Sequence, residues 1–273
     1  MAGHFYSADG EGLAKEVESC FLSPRGPGHL PDPHRSSTRR IRAAIVPHAG
    51  LLYSGPIAAL VYEAIAVERP PEVTVILGVD HHGTRREAAL SDKRWAMPIG
   101  PIPVDHELVR RMARGPIEID EEAHRLEHSI EVQLPFLDYV LPHPKIVPLM
   151  VPFRELGFLE EVARVVREAI QGKDVLLVAS TDLSHYVPAP VAERLDHLAI
   201  QQILDRSPEG LYRTVREHAI SMCGIAPTTT LLAAILGEPL TARLLRWGHS
   251  GEAQPMREVV GYAGIVLETP DPF

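Results

Sequence analysis

The stretch at 73–83, Val-Thr-Val-Ile-Leu-Gly-Val-Asp-His-His-Gly, constrains this chain most. Its apolar and β-branched residues run on without alternating polarity, the pattern of a strand covered on both faces. The run is interrupted at Gly78 and ends in one acid and two imidazoles: Asp80, His81 and His82. The same grammar recurs twice. Ala43-Ala44-Ile45-Val46 leads into Pro47-His48-Ala49-Gly50, and Val175-Leu176-Leu177-Val178-Ala179 leads into Ser180-Thr181-Asp182-Leu183-Ser184-His185-Tyr186. In open α/β sheets, ligands bind at the carboxyl ends of parallel strands. Three strand ends presenting histidine therefore point to a metal or acid/base site on one rim of a sheet.

The rest of the chain alternates helical and strand patterns. Leu13, Val17, Cys20 and Phe21 fall at helical spacing over 10–22, and 23–40 is a Pro-, Gly- and Arg-rich stretch that reads as a loop or flap. An apolar helix is expected over 56–67 with Pro56 in its first turn. A strand near 88–91 and a helix capped by Asp105 follow. The segment from Glu127 reads as a helix in which Pro135 demands a kink or an early turn and Ser129 serves as a cap. Strands at 145–151, 175–179, 242–247 and 259–267 and helices at 156–171, 189–204, 208–218 and 228–236 complete the pattern. It predicts a three-layer α/β/α sandwich with a mixed, largely parallel sheet, built as a single domain over 1–273.

Composition narrows the function classes. No apolar run approaches the roughly 20 residues that span a bilayer, so no membrane insertion is expected. The N-terminal stretch lacks a basic region followed by an apolar one, which points to the cytoplasm. A formal net charge of -9 argues against general nucleic-acid binding, which needs a concentrated basic face. Cys20 and Cys223 are too few for a disulfide framework and lack the paired spacing of a structural zinc site.

Among the candidate site residues, His48 stands at a strand end with small residues after it, leaving the backbone open to close approach. His81 and His82 point opposite ways in an extended chain, so His81 is expected in the cavity and His82 behind it, oriented by Asp80. Asp182 with His185 forms an acid/base pair, since a carboxylate fixes an imidazole's tautomer and raises its basicity. Glu127-His128-Ser129 has the composition of a nucleophilic triad without the strand-turn-helix context of a nucleophile elbow. Cys223-Gly224 reads as a buried thiol.

Taken in order, five motifs are similar to those of the Memo family. They are Pro47-His48-Ala49-Gly50 with Tyr53-Ser54-Gly55, then Leu77-Gly78-Val79-Asp80-His81-His82-Gly83, then the run from Glu127 to Phe136, then the run from Ser180 to Tyr186, and finally Cys223-Gly224. His4-Phe5-Tyr6 and Gly261-Tyr262-Ala263 resemble that family's ends, so the match spans essentially the whole chain. The resemblance implies a fold like that of class III extradiol ring-cleaving dioxygenases, which hold ferrous iron with two histidines and a carboxylate. It makes His48 and His81 look like metal ligands and places Asp182 and His185, as catalytic groups, beside them, with Asp80, His82, Glu127, His128 and Cys223 around the pocket. Animal members resemble copper or iron binders with a redox role and a proposed phosphopeptide-binding role. In those members a cysteine supplies a further ligand; here Ala253 stands in its place, and His249 or Glu252 is the expected substitute.

The expected cofactor is therefore a divalent metal, iron or copper before zinc. The leading function is a metal-dependent oxidoreductase of dioxygenase type acting on a small molecule. The alternatives are a non-catalytic module for a peptide or small anion, and a hydrolase using metal-bound water.

Overall fold

The run at 73–79 forms a fully buried strand near the middle of the sheet. The computed structural model describes residues 1–32, 36–83 and 85–270, so the expected flap over 23–40 lies partly outside the described residues. In chain order the helices are α1 Gly10–Leu22, α2 Leu51–Ala66, α3 His106–Met112, α4 Glu121–His124, α5 Leu134–Val140, α6 Leu156–Ile170, α7 Ala189–Leu204, α8 Pro208–Glu217 and α9 Ile225–Ala234. The strands are β1 Ile41–Val46, β2 Val73–Val79, β3 Ala88–Leu90, β4 Ile117–Ile119, β5 Ile146–Val151, β6 Val175–Ser180, β7 His185–Val187, β8 Thr241–His249 and β9 Val259–Glu268. They form one mixed sheet in the order β4-β3-β5-β2-β6-β1-β9-β7, with β8 paired to β9. Helices flank the sheet, as the alternating pattern predicts. α2 packs on β1, β8 and β9, whereas α9 packs on β2, β5 and β6 and against α6 and α8.

The central four strands β5, β2, β6 and β1 are parallel neighbours. Val79 pairs with Val151 and Val46 with Ser180, so all four strands end along one edge. Every residue of β2, β5 and β6 is buried, which is why these strands read as unbroken apolar runs. The rim that follows them carries His48, His81, Phe153 and Asp182. Among the described residues, no helix is long and apolar enough to cross a membrane.

Two close approaches bring the rim together. A Cβ on Gly78 would lie 2.4 Å from Ile130 Cγ1 and 2.8 Å from Ser129 Oγ, so only glycine lets the loop before α5 lie on the end of β2. A Cβ on Gly224 would lie 2.2 Å from Thr181 Cβ and 2.8 Å from the Ser180 carbonyl oxygen. Its absence lets the start of α9 rest on the end of β6.

The structure corrects the reading of Pro56. α2 starts at Leu51, so Pro56 lies inside the helix and cannot donate to the carbonyl of Leu52. Arg25, in the turn after α1, takes over. Its Nη2 donates to Leu52 O at 3.0 Å and its Nη1 to Tyr53 O at 3.3 Å. Pro135 is accommodated differently, at the start of α5 directly after a short 3-10 turn at Glu131–Gln133. Ser129 does not cap this segment; its hydroxyl accepts from the Val79 amide at 2.9 Å and ties the loop to β2.

Arg25→Ala removes the donor that serves the Leu52 carbonyl while leaving the proline in place. Urea unfolding is expected to show a loss of about 1–2 kcal/mol, within the range for hydrogen bonds from charged donors. An Arg25→Ala protein as stable as wild type would show that water serves this carbonyl equally well.

Candidate metal centre

Ser180 sits on the last residue of β6 and has one hydroxyl proton to give. It donates to the carbonyl of Ser129 at 2.6 Å, and so can only accept from its other neighbours. Gln133 Nε2 donates to it at 2.8 Å. His48 Nδ1 lies 2.9 Å away and must carry the ring proton. That leaves His48 Nε2 as a bare lone pair. The His48 amide also donates to Asp182 at 2.8 Å, fixing the backbone beneath the ring. Gln133 is fully used as well, donating to Pro47 O at 3.0 Å and accepting from Tyr62 Oη at 2.9 Å.

Glu127 does for His81 what Ser180 does for His48. It is 1 % exposed, and its carboxylate accepts from the His81 amide at 2.9 Å and from the His128 and Ser129 amides at 2.8 Å each. It also accepts from His81 Nδ1 at 2.9 Å, so this imidazole too keeps its proton on Nδ1 and presents Nε2. Burial pushes the Glu127 carboxyl up, but the His81 ring and the converging amides outweigh it and hold the group well below the usual carboxylate range.

Cys223 completes the arrangement. Its Sγ lies 3.3 Å from His48 Nε2 and accepts from the Asp182 amide at 3.3 Å. Donor atoms of His48, His81 and Cys223 all lie within 4.8 Å of one another, as do those of a second set, His81, Glu127 and His128. Two imidazole nitrogens and one sulfur fit a transition metal in chemistry, tautomer and spacing. Burial, with the nearby Asp182 carboxylate, pushes the free Cys223 thiol well above its ordinary range, so this sulfur is no ready nucleophile in the metal-free protein.

The surrounding groups hold these donors in place. The His128 ring stacks on His81 with centroids 4.4 Å apart, and Phe5 stacks on the other face of His128 at 4.2 Å. The N-terminal segment thus closes over the site. Asp182 is buried, and burial raises its pKa although the His48 and Ala49 amides pull the other way. His185 lies on β7, with Nδ1 2.8 Å from both the Leu183 and Ser221 carbonyls, so Nδ1 carries a proton.

Other candidates go elsewhere. Asp80 accepts from the amides of Gly83 and Arg85 and shapes the loop, while exposed His82 points Nε2 at Leu126 O at 3.2 Å. His249 ends β8 beside Trp247, and it belongs to neither donor set found among the described residues. Glu252 is occupied by Arg246 at 2.7 Å. Among the described residues, the donor atom found within reach of both His48 and His81 is Cys223 Sγ, from outside the segment around Ala253.

With this geometry established, comparison with known proteins becomes informative. The family model described as "Memo-like protein" matches residues 1–266. This chain belongs to the Memo family. It is 39% identical over 271 residues to a MEMO1 family protein of Aeropyrum pernix, covering 97% of this chain and 96% of that one. Against a MEMO1 family protein of Sulfurisphaera tokodaii it is 36% identical, again over 97% and 96% of the two chains. Among solved structures, an uncharacterized protein from Escherichia coli K12 superimposes with a TM-score of 0.58 at 16% identity, over 83% of this chain and 100% of that one. This last likeness concerns the fold alone. In this Memo-family chain, Ser180, Gln133 and Phe5 lie inside the quoted motifs, but motif reading gave them no role at the site. Ser180 directly precedes Thr181-Asp182, but nothing in its neighbours announces a hub.

Burial holds both His48 and His128 below the ordinary value of 6.5, His128 at about 4. The unfolded chain therefore binds protons that the native one refuses. This contribution to stability is complete above about pH 6.5 and is lost as pH falls toward 4. For His128 it amounts to on the order of 3 kcal/mol, at about 1.4 kcal/mol per pH unit. Asp182, with its raised pKa, acts in the opposite direction below neutrality. Chelator-treated protein is expected to lose urea resistance between about pH 6.5 and pH 4, and His128→Asn to flatten that slope. An unchanged slope in the variant would mean that His128 is not held neutral by folding.

Proposed function

We propose that this Memo-family protein is a metal-dependent oxidoreductase of dioxygenase type, with its metal held by His48 Nε2, His81 Nε2 and Cys223 Sγ. The observation that carries this reading is the mutual approach of one donor atom from each of His48, His81 and Cys223, with both imidazole tautomers already set by Ser180 and Glu127. Mixed imidazole and thiolate donors suit iron or copper, and also zinc. Bound there, iron or copper would supply a redox-active Lewis acid.

The chain's own residues have separable tasks. Glu127 and Ser180 orient the two imidazoles and keep their basic nitrogens facing inward. Asp182 holds the His48 backbone and, with its pKa raised by burial, can carry a proton near neutral pH. His185, tied at Nδ1 to two carbonyls, offers Nε2 to receive a proton. Phe5 and His128 cover one side and limit water.

Titration of metal-free protein with ferrous, cupric and zinc ions, read by elemental analysis, is expected to give tight uptake of iron or copper. His48→Ala combined with His81→Ala should abolish it, whereas unaltered metal content in the double variant would defeat the assignment. Glu127→Gln keeps the shape but turns an amide NH2 toward hydrogen-bond donors; its metal affinity should fall roughly 10- to 100-fold. Turnover that continues without oxygen would exclude the dioxygenase and favour metal-assisted hydrolysis.

A further inference from the structure

A cavity of about 410 Å³ opens beside Cys223 at the same rim. Its walls are apolar and come from separate parts of the chain. Phe153 follows the end of β5, Val215 lies on α8, and Ile220 and Met222 belong to the link toward α9. Phe153 is 57 % exposed, an uncovered aromatic ring at a sheet edge where ligands are expected. Cys223 lines this cavity and also supplies a donor atom to the metal centre, so a molecule filling the one lies against the other.

The end of α8 is shaped for this. Ile220 N donates to Val215 O and Ala219 N to Arg216 O, the paired bonds of a Schellman turn. Ala219 takes the left-handed position usually given to glycine, with φ 49. The reversal brings Val215 and Ile220 to the same cavity wall.

One cation stands at the cavity, Arg216. Its Nη1 donates to Tyr212 Oη at 2.9 Å, and Tyr212 in turn donates to Arg154 O at 3.1 Å. The guanidinium carbon also lies 5.4 Å from the centre of the Tyr212 ring. Among the described residues no carboxylate pairs with Arg216, although Arg154 and Arg213 each have such a partner. An arginine held in one orientation with its charge uncompensated is built to meet an anion. A single guanidinium beside apolar walls suits one negative charge; a phosphate dianion calls for more donors than this cavity offers.

We infer that the cavity is the substrate pocket of the proposed oxidoreductase and takes a small organic carboxylate, its apolar body against Phe153, Val215, Ile220 and Met222 and its carboxylate on Arg216. This rests on the reading of His48, His81 and Cys223 as a metal centre, because it is that centre which makes contact with Cys223 productive.

The test is calorimetric titration of metal-loaded protein with phenylbutyrate and with its uncharged amide. The acid should bind, the amide at least tenfold more weakly, and Arg216→Gln should weaken the acid at least tenfold while leaving the amide unchanged. Ile220→Trp, which fills the cavity, should remove binding of both. Arg216 is exposed, so its variant is expected to fold; circular dichroism and metal content are read on every sample. Metal-loaded protein that ignores phenylbutyrate, or that binds acid and amide alike, overturns the pocket proposal alone. Wild-type protein that takes up no metal overturns the reading of the centre instead.

Discussion

The rim of this molecule depends on how few protons a buried serine has to offer. Ser180 gives its only one to the Ser129 carbonyl and must accept from both His48 and Gln133. Three segments far apart in the chain are thereby joined at one oxygen: the ends of β1 and β6, and the stretch from Ser129 to Gln133 that leads into α5. Leaving any of these polar groups unpaired in a buried setting would cost on the order of 1–3 kcal/mol. The bonding scheme therefore has little freedom, and the tautomer of His48 follows from it.

Glu127 applies the same logic with a charge. A carboxylate so deeply buried is tolerated because four donors converge on it, three of them backbone amides that cannot move without displacing the loop. Both imidazoles then keep Nε2 unprotonated, and that of His48 lies 3.3 Å from Cys223 Sγ without any rearrangement. Such a site is organised before a metal arrives, and the cost of orienting ligands has been met during folding. The cavity beside Cys223 adds an apolar wall and one arginine to this centre, so the place where a metal would sit and the place where an organic ligand would lie share a side chain.

Much of the architecture was legible in the residue pattern because it rests on local periodicity. Leu13, Val17, Cys20 and Phe21, set at helical spacing, are the buried face of α1. The unbroken apolar runs are the parallel strands they suggested. What escaped was decided by partners distant in sequence. Pro56 sits inside α2 because Arg25, from another segment, supplies the missing donor to the Leu52 carbonyl. Ser129 ties a loop to β2 instead of capping a helix because Gly78 leaves room for it. The three-residue strands β4 and β7 are too short to show a period.

Sequence by itself determined that the apolar strands β1 and β2 would lead directly into His48 and His81, because each run and its histidine are contiguous in the chain, and five motifs in order along the chain marked its likeness to the Memo family. Only the tertiary structure decided which sulfur or carboxylate stands beside the two histidines. Ala253 directed attention to its neighbours His249 and Glu252, yet Cys223 reaches His48 because Gly224 lets α9 press against the end of β6. Periodicity reports which face of an element is buried, whereas the meeting of side chains from two elements depends on backbone approach to within a few tenths of an ångström, which no local pattern encodes.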